Sequence, residues 1–205
     1  MSVPRMIWEA DGLEVRQLDK RPVIAGRFPY NSLAVLSDRG TVRKETIMPG
    51  AFSFALDDPS REVNLLFGHS FDRPLASRSS GTLEFKDTER FLEFVATIPQ
   101  GADRASHVVD ALALIGSGLA TGISPGFRVP PKDVVPGAEK LVPEPGNPSV
   151  MIRQLWALLL FEISIVTRPA YGDSEAELRA MAQDVGAGTT LSEIDCNHHK
   201  RIILP

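Results

Sequence analysis

The chain has 205 residues, 43% hydrophobic, 23% charged and 7% aromatic, which excludes disordered, fibrous and membrane-embedded classes and leaves an ordinary globular protein. Lys and Arg number 22 against 26 Asp and Glu, a formal net charge of −4, and no dense basic cluster is present to neutralise phosphates, so nucleic-acid binding is not expected. The single Cys196 excludes an internal disulfide, and a chain of this length buries enough surface to fold without one or a structural metal.

The start, Met1-Ser2-Val3-Pro4-Arg5 running at once into Glu9 and Asp11, lacks the basic and apolar stretches of a secretory signal. Ile7 to Gln17 alternates loosely and Pro22 to Arg27 reads as a second strand, after which Gly26 and Pro29 suggest a bulge or irregular loop through Ser32. Leu33 to Leu36 resumes a strand, Ser37-Asp38-Arg39-Gly40 is a turn by composition, and Thr41 to Ile47 is extended. After Met48-Pro49-Gly50, the spacing of Ala51, Phe52, Ala55 and Leu56 predicts a short helix that ends at Asp57-Asp58-Pro59. Val63 to Phe67 is a compact apolar strand closed by Gly68-His69, which puts the histidine at a rim.

Gly81 to Lys86 and Arg90 to Ile98 both alternate and are separated by Asp87-Thr88-Glu89, the signature of a hairpin. Asp103 to Leu119 carries Val108, Ala111, Leu112 and Ile115 at helical spacing, with Gly116-Ser117-Gly118 as a stop. Leu119 to Val129 reads as a strand broken by Gly122, Pro125 and Gly126. The stretch from Pro130 to Pro148, with its 6 prolines, reads as a loop or mobile excursion. Met151 to Val166 is one long extended candidate whose Leu-rich middle also reads as helix, although its β-branched end, Ile163 to Thr167, favours strand; the apolar run Leu155–Phe161 is too short for a bilayer, which takes about 20 residues. Ser174 to Asp184 reads as a helix, and the chain beyond Gly186 as a weakly patterned tail. The expected organisation is a domain over residues 1–185 with a flexible tail over 186–205. With no membrane span expected and a reducing compartment suggested by the lone cysteine, a cytoplasmic location is the default.

Acid–base chemistry near neutral pH most often uses histidine. Of His69, His107, His198 and His199, only His69 follows a buried strand directly; His107 lies mid-helix and is read as structural. Cys196, His198 and His199 are too close together to surround an ion alone, so no metal and no cofactor are predicted. Ser124 lies in Thr121-Gly122-Ile123-Ser124-Pro125-Gly126-Phe127, where the glycines give a substrate backbone room to approach, although the elbow of the α/β-hydrolases is absent. Glu162 interrupts an almost wholly apolar segment, and a buried carboxylate requires a partner. In a strand it shares a face with Ser164 and Val166, while Phe161, Ile163 and Ile165 face the other way. That partner is a structural arginine or a catalytic imidazole; Asp72, three residues beyond His69, is a rival orienting group.

Several motifs, taken in order, point further: Gly26-Arg27-Phe28-Pro29-Tyr30-Asn31, Glu45-Thr46-Ile47-Met48-Pro49-Gly50-Ala51-Phe52, Leu65-Leu66-Phe67-Gly68-His69 with Asp72-Arg73-Pro74-Leu75-Ala76, Gly118 to Phe127, and Phe161-Glu162-Ile163-Ser164-Ile165-Val166-Thr167-Arg168-Pro169-Ala170-Tyr171. Together they resemble the prohead maturation proteases of tailed phages, serine proteases akin to herpesvirus assemblin. The resemblance implies His69 and Ser124 as the catalytic pair, Glu162 as third member, and oxyanion or substrate contacts near Arg168 and Gly126. Ser70 and Pro125 depart from the family pattern, and Pro125 removes a backbone donor.

The resemblance further implies a mainly β, mixed β/α fold: an antiparallel β-barrel core surrounded by helices. It implies a serine endopeptidase that cleaves scaffolding segments of the major capsid protein, or a scaffold protein, and its own tail, acting as a homodimer or higher oligomer inside the immature capsid in the bacterial cytoplasm. A non-catalytic assembly protein that keeps the fold is the alternative. A small-ester hydrolase ranks below it.

Overall fold

A computed structural model describes residues 13–18, 21–38, 41–167 and 169. These belong to one unit, Met1–Tyr171; the other unit, Gly172–Pro205, lies outside the described residues, and with it the helix expected over 174–184 and the tail over 186–205.

In chain order the strands are β1 (Leu13–Leu18), β2 (Arg21–Pro29), β3 (Leu33–Asp38) and β4 (Thr41–Ile47), then helix α1 (Ser53–Leu56). They continue with β5 (Asn64–Phe67), β6 (Ser70–Ser77), β7 (Leu83–Asp87) and β8 (Phe91–Thr97). A 3₁₀ turn (Ala102–Arg104) and helix α2 (Ser106–Gly116) follow, then β9 (Gly122–Arg128), β10 (Glu139–Glu144), β11 (Asn147–Leu155) and β12 (Leu159–Val166). They form three four-stranded sheets, ordered β1-β2-β8-β7, β10-β11-β4-β3 and β6-β5-β12-β9.

The mainly β expectation holds, but the helix-wrapped barrel does not. Closure demands an unbroken ring of paired strands, and each sheet here has two ends. Two pairings, β11 with β4 and β12 with β5, are parallel, so two of the sheets are mixed and not antiparallel. Among the described residues the helices amount to α1, with 4 residues, α2, with 11, and the 3₁₀ turn, too little to surround a core.

Local patterning accounts for most elements. The predicted hairpin forms as β7 and β8, with Leu92, Phe94 and Ala96 buried on one face, and Thr88 closes its turn by accepting the Phe91 N–H at 2.9 Å. The predicted helix is α2, which buries Val108 and Ala111. β2 runs through Gly26 and Pro29 in continuous register with β8, so no bulge forms there. Gly26 instead lies beneath a neighbour: a Cβ at this position would sit 2.5 Å from the Phe94 ring and 2.8 Å from Ile123 of β9. That close approach lets the first and third sheets share a core including Ile24, Phe28, Leu65, Phe94, Ile123 and Ile163.

Two expectations in the later half are overturned, the first in part. The expected loop holds over residues 130–138, but from Glu139 onward β10 and β11 form a hairpin, with Pro145-Gly146 between Glu144 and its partner Asn147 and Gly146 at φ +83°. Proline is tolerated because β10 is an edge strand, where a missing donor need not break a ladder. The long extended segment 151–166 is two strands in different sheets. Between them the Trp156 N–H goes to the Ala138 carbonyl at 2.7 Å and the Leu158 N–H to that of Ala51 at 2.8 Å, so the chain steps from one sheet to the next with its donors satisfied.

A half-buried polar clasp ties Tyr30, just past the end of β2, to α1 and β7: Tyr30 Oη donates to Asp87 Oδ1 at 2.6 Å and Ser53 Oγ to Asp87 Oδ2 at 2.9 Å. Burial first, then the hydrogen bond and charge of Asp87, push the Tyr30 hydroxyl far above its ordinary range. The unfolded chain releases this proton near pH 10 while the folded chain keeps it, so the contribution is intact below about pH 10 and falls by about 1.4 kcal/mol per further pH unit. Tyr30→Phe is expected to cost about 1–3 kcal/mol in urea unfolding near neutrality. The gap to wild type should narrow above about pH 10; a gap that stays constant there refutes the assignment.

Candidate active site

The third sheet carries the site on the face away from the core, and its first part is a tight turn. β5 and β6 are joined by two residues, with Phe67 opposite Ser70. Both turn residues have positive φ, +67° at Gly68 and +59° at His69. Such turns match the twist of paired strands, but the second position is costly for a side chain other than Gly, Asn or Asp. The strain is held by β12: the Gly68 N–H donates to the Ile165 carbonyl at 3.0 Å and the His69 N–H to Ser164 Oγ at 2.9 Å. A non-glycine residue kept in this region by its surroundings is typical of functional positions.

β12 supplies the carboxylate. Its pairing with β9 shifts register between Leu160 and Glu162. Leu160, Ile163 and Ile165 therefore all reach the core, while Phe161 is turned outward and is 38% exposed. The expectation that Phe161 shares a face with Ile163 and Ile165 fails because a bulge changes the parity of the strand. Glu162 and Ser164 remain on one face, 5% and 0% exposed. Glu162 Oε1 lies 2.8 Å from His69 Nδ1, and Ser164 Oγ donates to Glu162 Oε2 at 2.6 Å. The buried carboxylate is thus bonded to the imidazole, and to no arginine among the described residues; Asp72 is exposed on β6.

Across β12 lies β9, with Ser124 directly opposite Ser164 and Gly126 directly opposite Glu162. Residues opposed in an antiparallel pair share a face, so Ser124 belongs to the face that carries Ser164 and Glu162. Its own exposure is 9%. Pro125 sits opposite Ile163 on this edge strand, where its missing N–H is tolerated. Gly126 leaves room for Glu162: a Cβ there would overlap Oε1 and lie 2.7 Å from Cδ. An open cleft of about 540 Å³ borders the carboxylate, with Asn64, Phe71, Gly126, Arg128, Phe161 and Glu162 among its lining residues. The Arg128 guanidinium stacks 5.5 Å from the Phe161 ring.

The structure therefore joins His69 to Glu162 by a hydrogen bond and sets Ser124 on the adjoining strand of the same face. Arg168, Cys196, His198 and His199 lie outside the described residues. His107 bonds the Pro74 carbonyl through Nε2 at 2.9 Å, tying α2 to β6. No group of side chains suited to a metal ion occurs among the described residues, and no described helix is long and apolar enough to cross a membrane. Sequence reasoning gave no role to Ser164, although its spacing of two from Glu162 was the available signal.

A serine hydroxyl on the same face as an imidazole held by a buried carboxylate is the equipment of serine-type acyl transfer. Comparison with known families matches residues 14–186 to the caudovirus prohead serine proteases, and the chain belongs to that family. Its members are serine proteases of bacteriophage capsid maturation. No curated protein and no solved structure matches the chain.

Proposed function

We propose that this chain is an active serine endopeptidase that removes scaffolding segments from the major capsid protein, or from a scaffold protein, and trims its own tail inside the immature capsid. Ser124 Oγ attacks the peptide carbonyl while His69 Nε2 takes its proton, and the C–N bond then breaks as the same proton passes to the leaving amine. Water repeats the sequence to free Ser124. Glu162 keeps the Nδ1 proton in place and balances the positive imidazole that forms in each half-reaction. The observation that carries this reading is the His69–Glu162 bond on the face shared with Ser124. The cleft beside Glu162 is the natural place for the substrate chain, and relatives of this kind are expected to work as dimers or larger oligomers.

Intact mass of the purified chain over time, against Ser124→Ala, with and without co-expressed capsid protein from the same phage, tests the proposal. Trimming of either chain that disappears with Ser124→Ala is expected. Identical masses in every condition would favour a non-catalytic assembly protein that retains the fold.

A further inference from the structure

Ser164 is fully buried in the middle of β12, yet its hydroxyl is engaged on two sides. Oγ accepts the backbone N–H of His69 at 2.9 Å and donates to Glu162 Oε2 at 2.6 Å, while Glu162 Oε1 meets Nδ1 of the same histidine at 2.8 Å. The directions are fixed by chemistry: a backbone N–H can only donate and an ionised carboxylate can only accept, so the serine proton points at Glu162 and the ring at Nδ1 carries its proton toward Oε1. The three bonds close a loop that begins and ends on His69. This also sets Ser164 apart from Ser124, since its proton is committed to Glu162 and it has no exposed surface.

His69 needs such a clamp. Its side chain is 49% exposed, so packing alone does not choose its rotamer, and its backbone holds φ +59° on a two-residue turn. One contact from the main chain and one from the ring, both to the Ser164–Glu162 pair, fix the turn and the imidazole together. We propose that Ser164 is a positioning residue: its hydroxyl couples the His69 backbone to the Glu162 carboxylate and so sets where His69 Nε2 points. The inference rests on the serine-peptidase reading for its kinetic consequence, and on the hydrogen-bond loop alone for its structural one.

The test uses the full chain, uniformly labelled with ¹⁵N, as wild type, Ser164→Ala, the near-isosteric Ser164→Cys and the hydroxyl-retaining Ser164→Thr. An alkyl fluorophosphonate serves as the probe of the nucleophile. In wild type, the His69 amide is expected to be protected from hydrogen exchange, and its imidazole to be held as the Nδ1–H form with a hydrogen-bonded proton resonance. Both signatures should be lost in Ser164→Ala and Ser164→Cys and restored in Ser164→Thr. Labelling of Ser124 should slow by about 10²-fold in the first two, the order of loss expected for a misplacement of about 1 Å, with little change in the probe's saturation constant.

An unprotected His69 amide in wild type overturns the proposal even if every variant fails to fold. So does a folded Ser164→Ala chain whose His69 signals and labelling rate match wild type, because a residue that only stabilises would lower the melting temperature and leave both alone. Labelling at Ser164 in place of Ser124 would overturn it as well. A wild-type chain that takes no label anywhere, yet shows the His69 signature and its loss in Ser164→Ala, would sink the peptidase reading and sustain the clamp.

Discussion

His69→Ala is expected to abolish measurable processing, with a loss of at least about 10²–10⁴-fold, the contribution of a well-placed general base. Among the described residues no neighbour is free to replace it. His107 is bound to the Pro74 carbonyl, and the Glu162 carboxylate receives bonds at both oxygens within the His69–Ser164 loop. Residues that act as one unit are strongly non-additive, so His69→Ala combined with Ser124→Ala should be scarcely slower than either alone. Glu162→Gln makes the sharper case, because size and burial are kept and only the hydrogen-bond polarity changes. Its amide carries one acceptor where the carboxylate offers two, so its NH₂ must confront either the Nδ1–H of His69 or the hydroxyl proton of Ser164. The imidazole then loses its tautomer or its orientation. Single-turnover cleavage of capsid protein by the variants checks this: a Glu162→Gln chain with wild-type turnover would remove Glu162 from the reaction and leave it a structural partner of the turn.

Gly126→Ala should damage both stability and activity from a single methyl group. Its Cβ would lie 2.7 Å from Glu162 Cδ and overlap Oε1. Relief has few routes, because β9 is paired to β12 through Ser124 and Pro125 on one side and, across the register shift, through Phe127 and Arg128 on the other, and Glu162 is itself 5% exposed. If the backbone yields, the ladder beside Ser124 is distorted; if the carboxylate swings away, its bonds to His69 and Ser164 are lost. Overpacking of this kind costs about 1–3 kcal/mol, and loss of the carboxylate contact should cut turnover on the order of 10²-fold. Urea unfolding and turnover at a temperature where the variant is fully folded separate the two effects. A folded variant with unchanged turnover would show that Glu162 can move without consequence. Position 126 is thus where the buried carboxylate fits, a role distinct from the oxyanion or substrate contact expected of Gly126.

What could be read along the chain was whatever local forces decide. Alternation marked β7 and β8, helical spacing marked α2, and a carboxylate set into an apolar run marked Glu162 as a group with a partner. The proline-rich stretch misled because composition carries no information on edges: Pro143 is compatible with a strand only because β10 pairs on one side. Residues 151–166 looked continuous because no glycine or proline interrupts them, and the step between the two strands is made by carbonyls at Ala51 and Ala138, both outside the segment.

The strand-rich class, the position of His69 at the end of a buried strand and, through ordered motifs, the family were all legible in the order of residues. Tertiary structure alone decided the division into three open sheets, the bulge that turns Phe161 outward, the choice of His69 as the partner of Glu162 and the engagement of Ser164. The reason is physical. Periodicity and turn chemistry act over a few residues, whereas the bonds that assemble the site span separations of 93 and 95 residues, and their formation depends on which strands become neighbours.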